Sequence, residues 1–419
     1  MEMDRHAERA DLDALARLDR DPGAGEIDLV AVRAYRLGRV RARMRHDGVA
    51  ALILSDPVNI RYATGARNMQ VFSQRNTPAR YLVVTAHRTV LFEFTGCEHL
   101  ADGLETIDEV RPAVTASYVA AGPDIAARER RWAAETADLL AELVGRDGPV
   151  GIERMNAGAV LALAAEGLTL VDAQATLERA RAIKSAEELQ CIEASLRATE
   201  IGVARLRAAI RPGLSEAELW SVLHAAIIAR HGDYIETRLL NAGPRTNPWF
   251  QETSARVIAP NELIALDTDV VGCYGYYADF SRTFHAGPDR PTAAQRELYR
   301  YAHAQVQHNL ALLRPGLGFR EYAERAWDIP PRFHANRYYL SAHGCGMTGE
   351  YPYLYHAGDF PDAGYDGVIE AGMTLCVESY IGEEGGGEGV KLEQQALITP
   401  TGHRLLSTFP FEHDLLAEP

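Results

Sequence analysis

The alternation of apolar and polar positions divides the chain into elements before any composition is considered. Residues 30–46 read as a helix, and Val49–Leu54 as a short apolar strand. Arg80–Thr85 and Thr89–Phe94 form two strand-like runs joined by a turn. A helix over Trp132–Val144, a strand at Val150–Ile152, a helix near Gly158–Ala165 and a strand at Leu168–Val171 follow. Strands and helices mixed at this spacing predict an α/β unit. It carries no glycine-rich phosphate loop, so nothing supports a Rossmann-type nucleotide fold.

A boundary is expected near residues 175–185. Ser185 and Glu188 have the spacing of a capping box. Leu189, Ile192, Leu196, Val203, Leu206 and Ile210 then form one apolar stripe of a long helix, with the Thr199 methyl filling its gap. Pro212-Gly213 ends it, and Ser215 with Glu218 opens a second helix that stops near Gly232. A third is expected from about Thr292 to Leu313, closed by Pro315-Gly316. Two β-rich blocks, roughly 234–286 and 373–410, complete this half. Residues 1–26 read as an irregular or loosely helical arm.

Composition narrows the function classes. At 419 residues the chain exceeds one ordinary core, so two domains are expected. No apolar run approaches the roughly 20 residues needed to span a bilayer, and the charged stretch Met1–Asp21 lacks a signal core. A cytoplasmic location and no membrane partner are the default expectations. A formal charge of −15 argues against nucleic-acid binding. The five cysteines, Cys97, Cys191, Cys273, Cys345 and Cys376, are widely spaced with no CxxC, and read as reduced, buried, small apolar residues.

The sharpest chemical signal is Ile264-Ala-Leu-Asp267-Thr-Asp269-Val-Val. Two aspartates in so apolar a run are costly unless paired. Positions i and i+2 of a strand share a face, so Asp267 and Asp269 are expected to converge. The chain turns at Gly272-Cys-Tyr-Gly275 and returns through Tyr277-Ala-Asp279, which brings Asp279 beside Asp269. Three gathered carboxylates repel one another, and one divalent cation or two is the usual remedy. The pattern recurs downstream: Glu378 interrupts an apolar strand, and Glu393 returns after the glycine-rich loop Gly385–Gly389. Between the pairs lies the glycine-flanked His343. Oxygen-rich sets with one imidazole suit iron or manganese, with zinc, cobalt or nickel compatible.

The series Asp269, Asp279, His343, Glu378, Glu393 resembles the five-ligand set of the pita-bread metallopeptidases, a family that includes prolidase, aminopeptidase P and creatinase. Asp279-Phe-Ser-Arg282-Thr283 resembles its D-x-x-R-T strand, and Arg179 to Glu188 resembles the junction that opens its catalytic domain. The resemblance implies an N-terminal arm (1–27), a creatinase-type α/β domain (28–178) and a pita-bread α/β catalytic domain (179–419). It also implies two divalent ions and a homodimer.

The departures from that family are as informative. The stretch Asn241 to Phe250 has no histidine, and Glu350 stands where the peptidases carry their second histidine. Peptide hydrolysis thereby loses two donors. One branch fits better. Asp267-Thr-Asp269, Asn247-Pro-Trp249, His343-Gly-Cys-Gly-Met347, Glu350-Tyr-Pro352 and Glu388-Gly-Val-Lys-Leu-Glu393 resemble the DddP-type dimethylsulfoniopropionate lyases. That likeness makes Asp267 a sixth ligand or its close support. The resemblance implies an aspartate as the base just before the Glu-Tyr-Pro run, where this chain has Gly349.

The expectation is therefore a metal-dependent elimination on a small zwitterion, with Glu350 as the candidate base. Tyr338, Tyr339, Tyr351 and Trp249 are candidates for an aromatic wall against a sulfonium. Arg282 and Thr283 are expected to orient Asp279. The alternatives are a metallohydrolase acting on a C–N bond of a small zwitterion or dipeptide, and a non-catalytic binding protein on the same scaffold.

Overall fold

A computed structural model describes residues 12–18, 27–69 and 78–417. The expected arm falls mostly outside them, but residues 12–16 are helical. The chain divides into two compact units, Asp28–Arg181 and Ala182–Pro419, the second taking in Met1–Ile27. No helix among the described residues is long and apolar enough to cross a membrane.

The first unit is built on a six-stranded mixed sheet. Its strands are β1 (Ala51–Leu54), β2 (Tyr81–Thr85), β3 (Thr89–Glu93), β4 (Glu109–Pro112), β5 (Val150–Ile152) and β6 (Leu170–Asp172), in the order β4-β3-β2-β1-β5-β6. Every residue of β1, β2 and β3 is buried, which is why these strands read as continuous apolar runs rather than alternating ones. The helix expected from Trp132 begins at Ile125. Its first two turns, Ile125 to Arg131, bury no residue and carry four charged ones, so they make no stripe, whereas Trp132, Ala133, Thr136, Ala137 and Leu140 are buried. The last strand starts at Leu170, since Gly167 turns the chain at φ 81° and Leu168 packs into the core instead.

The second unit opens with the helix Ala186–Ala209, where Ser185 and Glu188 form a reciprocal capping box. Ser215 and Glu218 cap the helix Glu216–Ile228, and Thr292 with Gln295 caps Ala293–Leu312. Two small antiparallel sheets follow from the first β-rich block. One has β7 (Tyr234–Ile235), β10 (Val270–Val271) and β11 (Tyr277–Ala278), and the other β8 (Leu240–Ala242), β9 (Leu263–Leu266) and β12 (Arg282–His285). A five-stranded antiparallel sheet runs β14-β13-β15-β16-β17, from β13 (Leu340–Cys345), β14 (Gly349–Tyr355), β15 (Thr374–Gly382), β16 (Gly389–Thr399) and β17 (Gly402–Leu405).

Alternation in β15 and β16 settles the two faces of this large sheet. Leu375, Val377, Leu392 and Ala396 join Tyr299, Ala302, Val306 and Leu310 of the helix Ala293–Leu312 in the main core. The opposite face carries Cys376, Glu378, Lys391, Glu393 and Gln395, in the register Cys376↔Gln395, Glu378↔Glu393 and Tyr380↔Lys391. Apolar packing on one side thus fixes a polar constellation on the other.

Candidate metal centre

Asp267 and Asp269 lie in the break where the chain leaves β9 of one small sheet and enters β10 of the other, so they do not share one regular strand. Asp269 holds φ 39°, a left-handed conformation costly for a non-glycine residue. That kink, not strand alternation, turns both carboxylates to one place. The β10–β11 pairing, Val270↔Ala278, extends to set Asp279 opposite Asp269. One oxygen from each of Asp267, Asp269 and Asp279 lies within 4.8 Å of the others.

A second group shares Asp279. Ligand atoms of Asp279, His343, Cys376 and Glu393 also lie within 4.8 Å of one another. His343 Nε2 stands 3.2 Å from Glu378 Oε1, 3.5 Å from Glu393 Oε1 and 3.6 Å from Asp279 Oδ2. The whole set is buried except for Asp269, which is partly so.

Sequence reasoning missed Lys391, which is wholly buried among these acids. Its ammonium contacts Glu378, lies 3.1 Å from Asp267 Oδ2 and 3.2 Å from Glu393 Oε2, and donates to Ser281 Oγ at 2.7 Å. The signal was present: Lys391 is two residues from Glu393 in a buried strand and must share its face. Cys376 obeys the same rule relative to Glu378. Arg282 does not orient Asp279. It donates to the backbone oxygen of Glu393 at 2.8 Å and to Ser281 O at 2.9 Å, bracing the neighbouring strand. Thr283 donates to Lys391 O at 2.9 Å.

Burial and crowding shape the ionisation of the cluster. Asp267 and Asp279 are pushed well up by burial and by neighbouring carboxylates, against the opposing pull of Lys391 on Asp267 and of His343 on Asp279. Burial raises Asp269 to about 6, opposed by its hydrogen bond from Thr237. Burial would raise Glu393 too, but Lys391 and His343 hold it below the usual carboxylate range. Burial alone would lower His343, yet Glu378 and Glu393 lift it well above 6.5. Five carboxylates outnumber the Lys391 ammonium and the His343 ring, and that excess of negative charge is the electrostatic condition a divalent cation relieves. Asp279 Oδ1 and Glu393 Oε1 are buried with no hydrogen-bond partner. Such orphaned acceptors are rare without a reason, so the residues present fit a bound metal.

The catalytic candidates separate. Trp249 is buried and stacks on Tyr380 at 6.0 Å between ring centroids. Lys391 Nζ lies 5.9 Å from the Trp249 ring and 4.9 Å from the Tyr338 ring. Phe250, 56% exposed and held at φ 66°, packs on Tyr338 and Tyr339 at 5.2 and 6.3 Å. An aromatic wall therefore runs from the surface to the carboxylates.

Glu350 and Tyr351 are not part of it. The Glu350 carboxylate is ion-paired with Lys184, both side chains buried. Tyr351 packs on Phe319 and Tyr365 beside the core. The reason is a register shift: β14 pairs Gly344 with Glu350 but His343 with Tyr353, so the intervening residues bulge. Tyr353 takes the place beside His343, with ring centroids 6.3 Å apart. Gly349 leaves open space there, since a Cβ on it would meet only His343 Nδ1, at 3.9 Å.

Comparison with known proteins agrees with this geometry. The model of metallopeptidase family M24 matches residues 190–400, and that of the creatinase/prolidase N-terminal domain matches 36–183. The dimethylsulfoniopropionate lyase DddP of Roseovarius nubinhibens is 34% identical over 395 residues, covering 93% of this chain and 88% of the relative. The protein of the same name from Roseobacter denitrificans is 33% identical, with the same coverage. A recombinant prolidase from Thermococcus sibiricus shares the fold at a TM-score of 0.73 and 18% identity, over 93% of this chain and 99% of that one. The chain is thus an enzyme of metallopeptidase family M24, with a creatinase/prolidase N-terminal domain ahead of its pita-bread catalytic domain.

Proposed function

We propose that the chain is a metal-dependent carbon–sulfur lyase that cleaves dimethylsulfoniopropionate, or a zwitterion like it, to a neutral sulfide and acrylate. The observation that carries this reading is the juxtaposition of a carboxylate–imidazole cluster with an aromatic wall whose faces already attract a cation, the Lys391 ammonium over Tyr338 and Trp249. The DddP lyases at 33–34% identity over nearly the whole chain support it.

In this reading Asp267, Asp269, Asp279, His343, Glu378 and Glu393 hold two divalent ions, iron or manganese by donor chemistry. Bound there, they supply the Lewis acidity that makes the C–H beside the substrate carboxylate easier to ionise. The chain's own residues do the rest. Trp249 and Tyr338 present ring faces to a sulfonium head. The Trp249 indole N–H, buried and unpartnered, is free to donate to substrate. Phe250 and Tyr339 line the entrance and limit water. Glu350 is committed to Lys184 and Gly349 has no side chain, so proton abstraction falls to the carboxylates of the cluster.

Gly349 also favours a second reading. A site without the lyases' aspartate, in a family that includes dipeptidases, suits hydrolysis of a C–N bond in a small zwitterion. Headspace detection of dimethyl sulfide decides between the two. Protein reconstituted with iron(II) or manganese(II) should release it from dimethylsulfoniopropionate, and the His343→Ala variant should not. Metal-loaded protein that releases none, but cleaves dipeptides or betaines, would make the hydrolase reading the correct one.

A further inference from the structure

Residues 407–412 follow β17 and have no regular secondary structure, yet each of them is anchored to the catalytic unit. Ser407 Oγ accepts from Gln395 N at 3.0 Å, and Ser407 O accepts from Gln394 Nε2 at 2.5 Å. Thr408 N donates to Glu200 Oε1 at 2.5 Å. Phe409 O and Pro410 O accept from the Arg282 guanidinium, which lies over the Phe411 ring at 4.2 Å. The His303 ring meets Phe411 edge-on at 4.9 Å. Glu412 N donates to Tyr299 Oη at 2.8 Å.

These anchors lead back to the ligands. Arg282 is fully buried, and its five N–H groups all find acceptors: Ser281 O, Glu393 O, Gln394 Oε1, Phe409 O and Pro410 O. One planar cation thus ties β12, β16 and the C-terminal segment together. A second route runs through Gln395. Its backbone N–H is held by Ser407, and its Oε1 accepts from the backbone N–H of Asp279 at 3.1 Å. The two routes end at Glu393 and Asp279, the cluster acids with an unpartnered oxygen.

We propose that residues 407–411 are a latch for the metal centre. Seated, they hold Arg282 and Gln395 where these set the backbones of Glu393 and Asp279. Arg282 and Gln395 are positioning residues, since they touch the ligands and not the ion. Metal binding and seating of the segment strengthen each other, because a coupling between two sites acts equally in both directions. A segment with no hydrogen-bond ladder of its own opens when its anchors go. The proposal rests on reading the cluster as a metal centre.

The first test needs no variant. Amide hydrogen exchange is followed in the full chain, chelator-stripped and then loaded with manganese(II). Residues that support metal ligands carry about 10- to 100-fold of metal affinity. By reciprocity, metal should slow exchange at Thr408 and Glu412 about tenfold more than in the helix Glu216–Ile228. Equal slowing in both places, or none at Thr408 and Glu412, overturns the latch. The second test reads manganese(II) affinity from the paramagnetic resonance of the free ion. Arg282→Lys keeps the charge but offers three N–H groups to five acceptors. Phe411→Ala removes the ring under the guanidinium. Both should weaken binding about tenfold. Leu223→Ala, at a fully buried position in the helix Glu216–Ile228, should lower the melting temperature and leave the affinity unchanged. Wild-type affinity in a folded Arg282→Lys or Phe411→Ala overturns the latch, as does an equal loss in Leu223→Ala. Wild type that binds no manganese(II) overturns the metal reading and the latch with it, a result distinct from binding without coupling.

Discussion

Both units bury acidic side chains, and the contrast between them separates structural acids from chemical ones. In the first unit the Glu153 carboxylate lies at the end of β5. Its Oε1 accepts from the backbone N–H groups of Ser55 and Asp56, both at 2.9 Å, and its Oε2 from Asn59 Nδ2 at 2.7 Å. Both oxygens are satisfied by neutral donors, and the acid ties the β1 end to the helix Pro57–Thr64 that follows. In the second unit Asp267, Asp279, Glu378 and Glu393 face one another and leave Asp279 Oδ1 and Glu393 Oε1 without partners. The number of buried acids does not reveal function. The donors they lack do.

The most severe way to break this contrast is to remove a ligand. His343→Ala or Glu393→Gln should abolish stoichiometric metal binding and lower turnover by more than about 100-fold, since even residues that merely support metal ligands often cost 10–100-fold. Elemental analysis and a turnover assay check both effects. Retention of two ions by either variant would show that the cluster is not the metal centre.

Next in size is a gain. The space at Gly349 admits a side chain beside His343. Under the lyase reading, Gly349→Asp places a carboxylate there and should raise dimethyl sulfide release by about 100-fold, the scale of a positioned general base. An unchanged rate in a folded, metal-loaded variant would remove position 349 from the chemistry.

Metal removal should distinguish the units by stability. Saturating metal at about 100 times its Kd stabilises the species that binds it by about 2.7 kcal/mol. Chelation should therefore lower the melting of the second unit, while protection of amides in β1–β3 against hydrogen exchange stays unchanged. Equal loss of protection in both units would contradict the division drawn here.

The smallest effect belongs to Glu153. Burial, and then the nearby Asp56, raise its pKa from 4.5 to about 7. The folded state then holds a proton that the unfolded chain releases near 4.5. The stability from this protonation is fully present below about 4.5 and is lost as pH rises through about 7. Glu153→Gln should flatten that decline, on the order of 1 kcal/mol, as read from melting of the first unit between pH 4.5 and 7.5. A wild-type profile that is flat over this window refutes the assignment.

Much of this site was legible in the chain, for reasons that are local. Period two in β15 and β16 put Glu378 and Glu393 on one face, and the same rule, applied to charge as well as acid, would have found Lys391 and Cys376. Capping boxes at Ser185 and Ser215 marked helix starts because they depend on four consecutive residues. The structure departs from the expected placement where period two fails. Asp267 and Asp269 converge through a kink between two sheets. Tyr351, a candidate for the aromatic wall, is turned away by the bulge in β14, which brings Tyr353 beside His343. Glu350, the candidate base, is paired with Lys184, a residue 166 positions away in sequence.

The sequence by itself determined the α/β character of both units, the helix starts, and which residue types gather around one cation-hungry centre. Those properties follow from hydrophobic period and side-chain chemistry, which act over a few residues. Only the tertiary structure decided which acids are left without donors, which carboxylate an ammonium has claimed, and which face a bulged strand presents. Each depends on a partner distant in the chain, and alternation along a strand says nothing about where its register will slip.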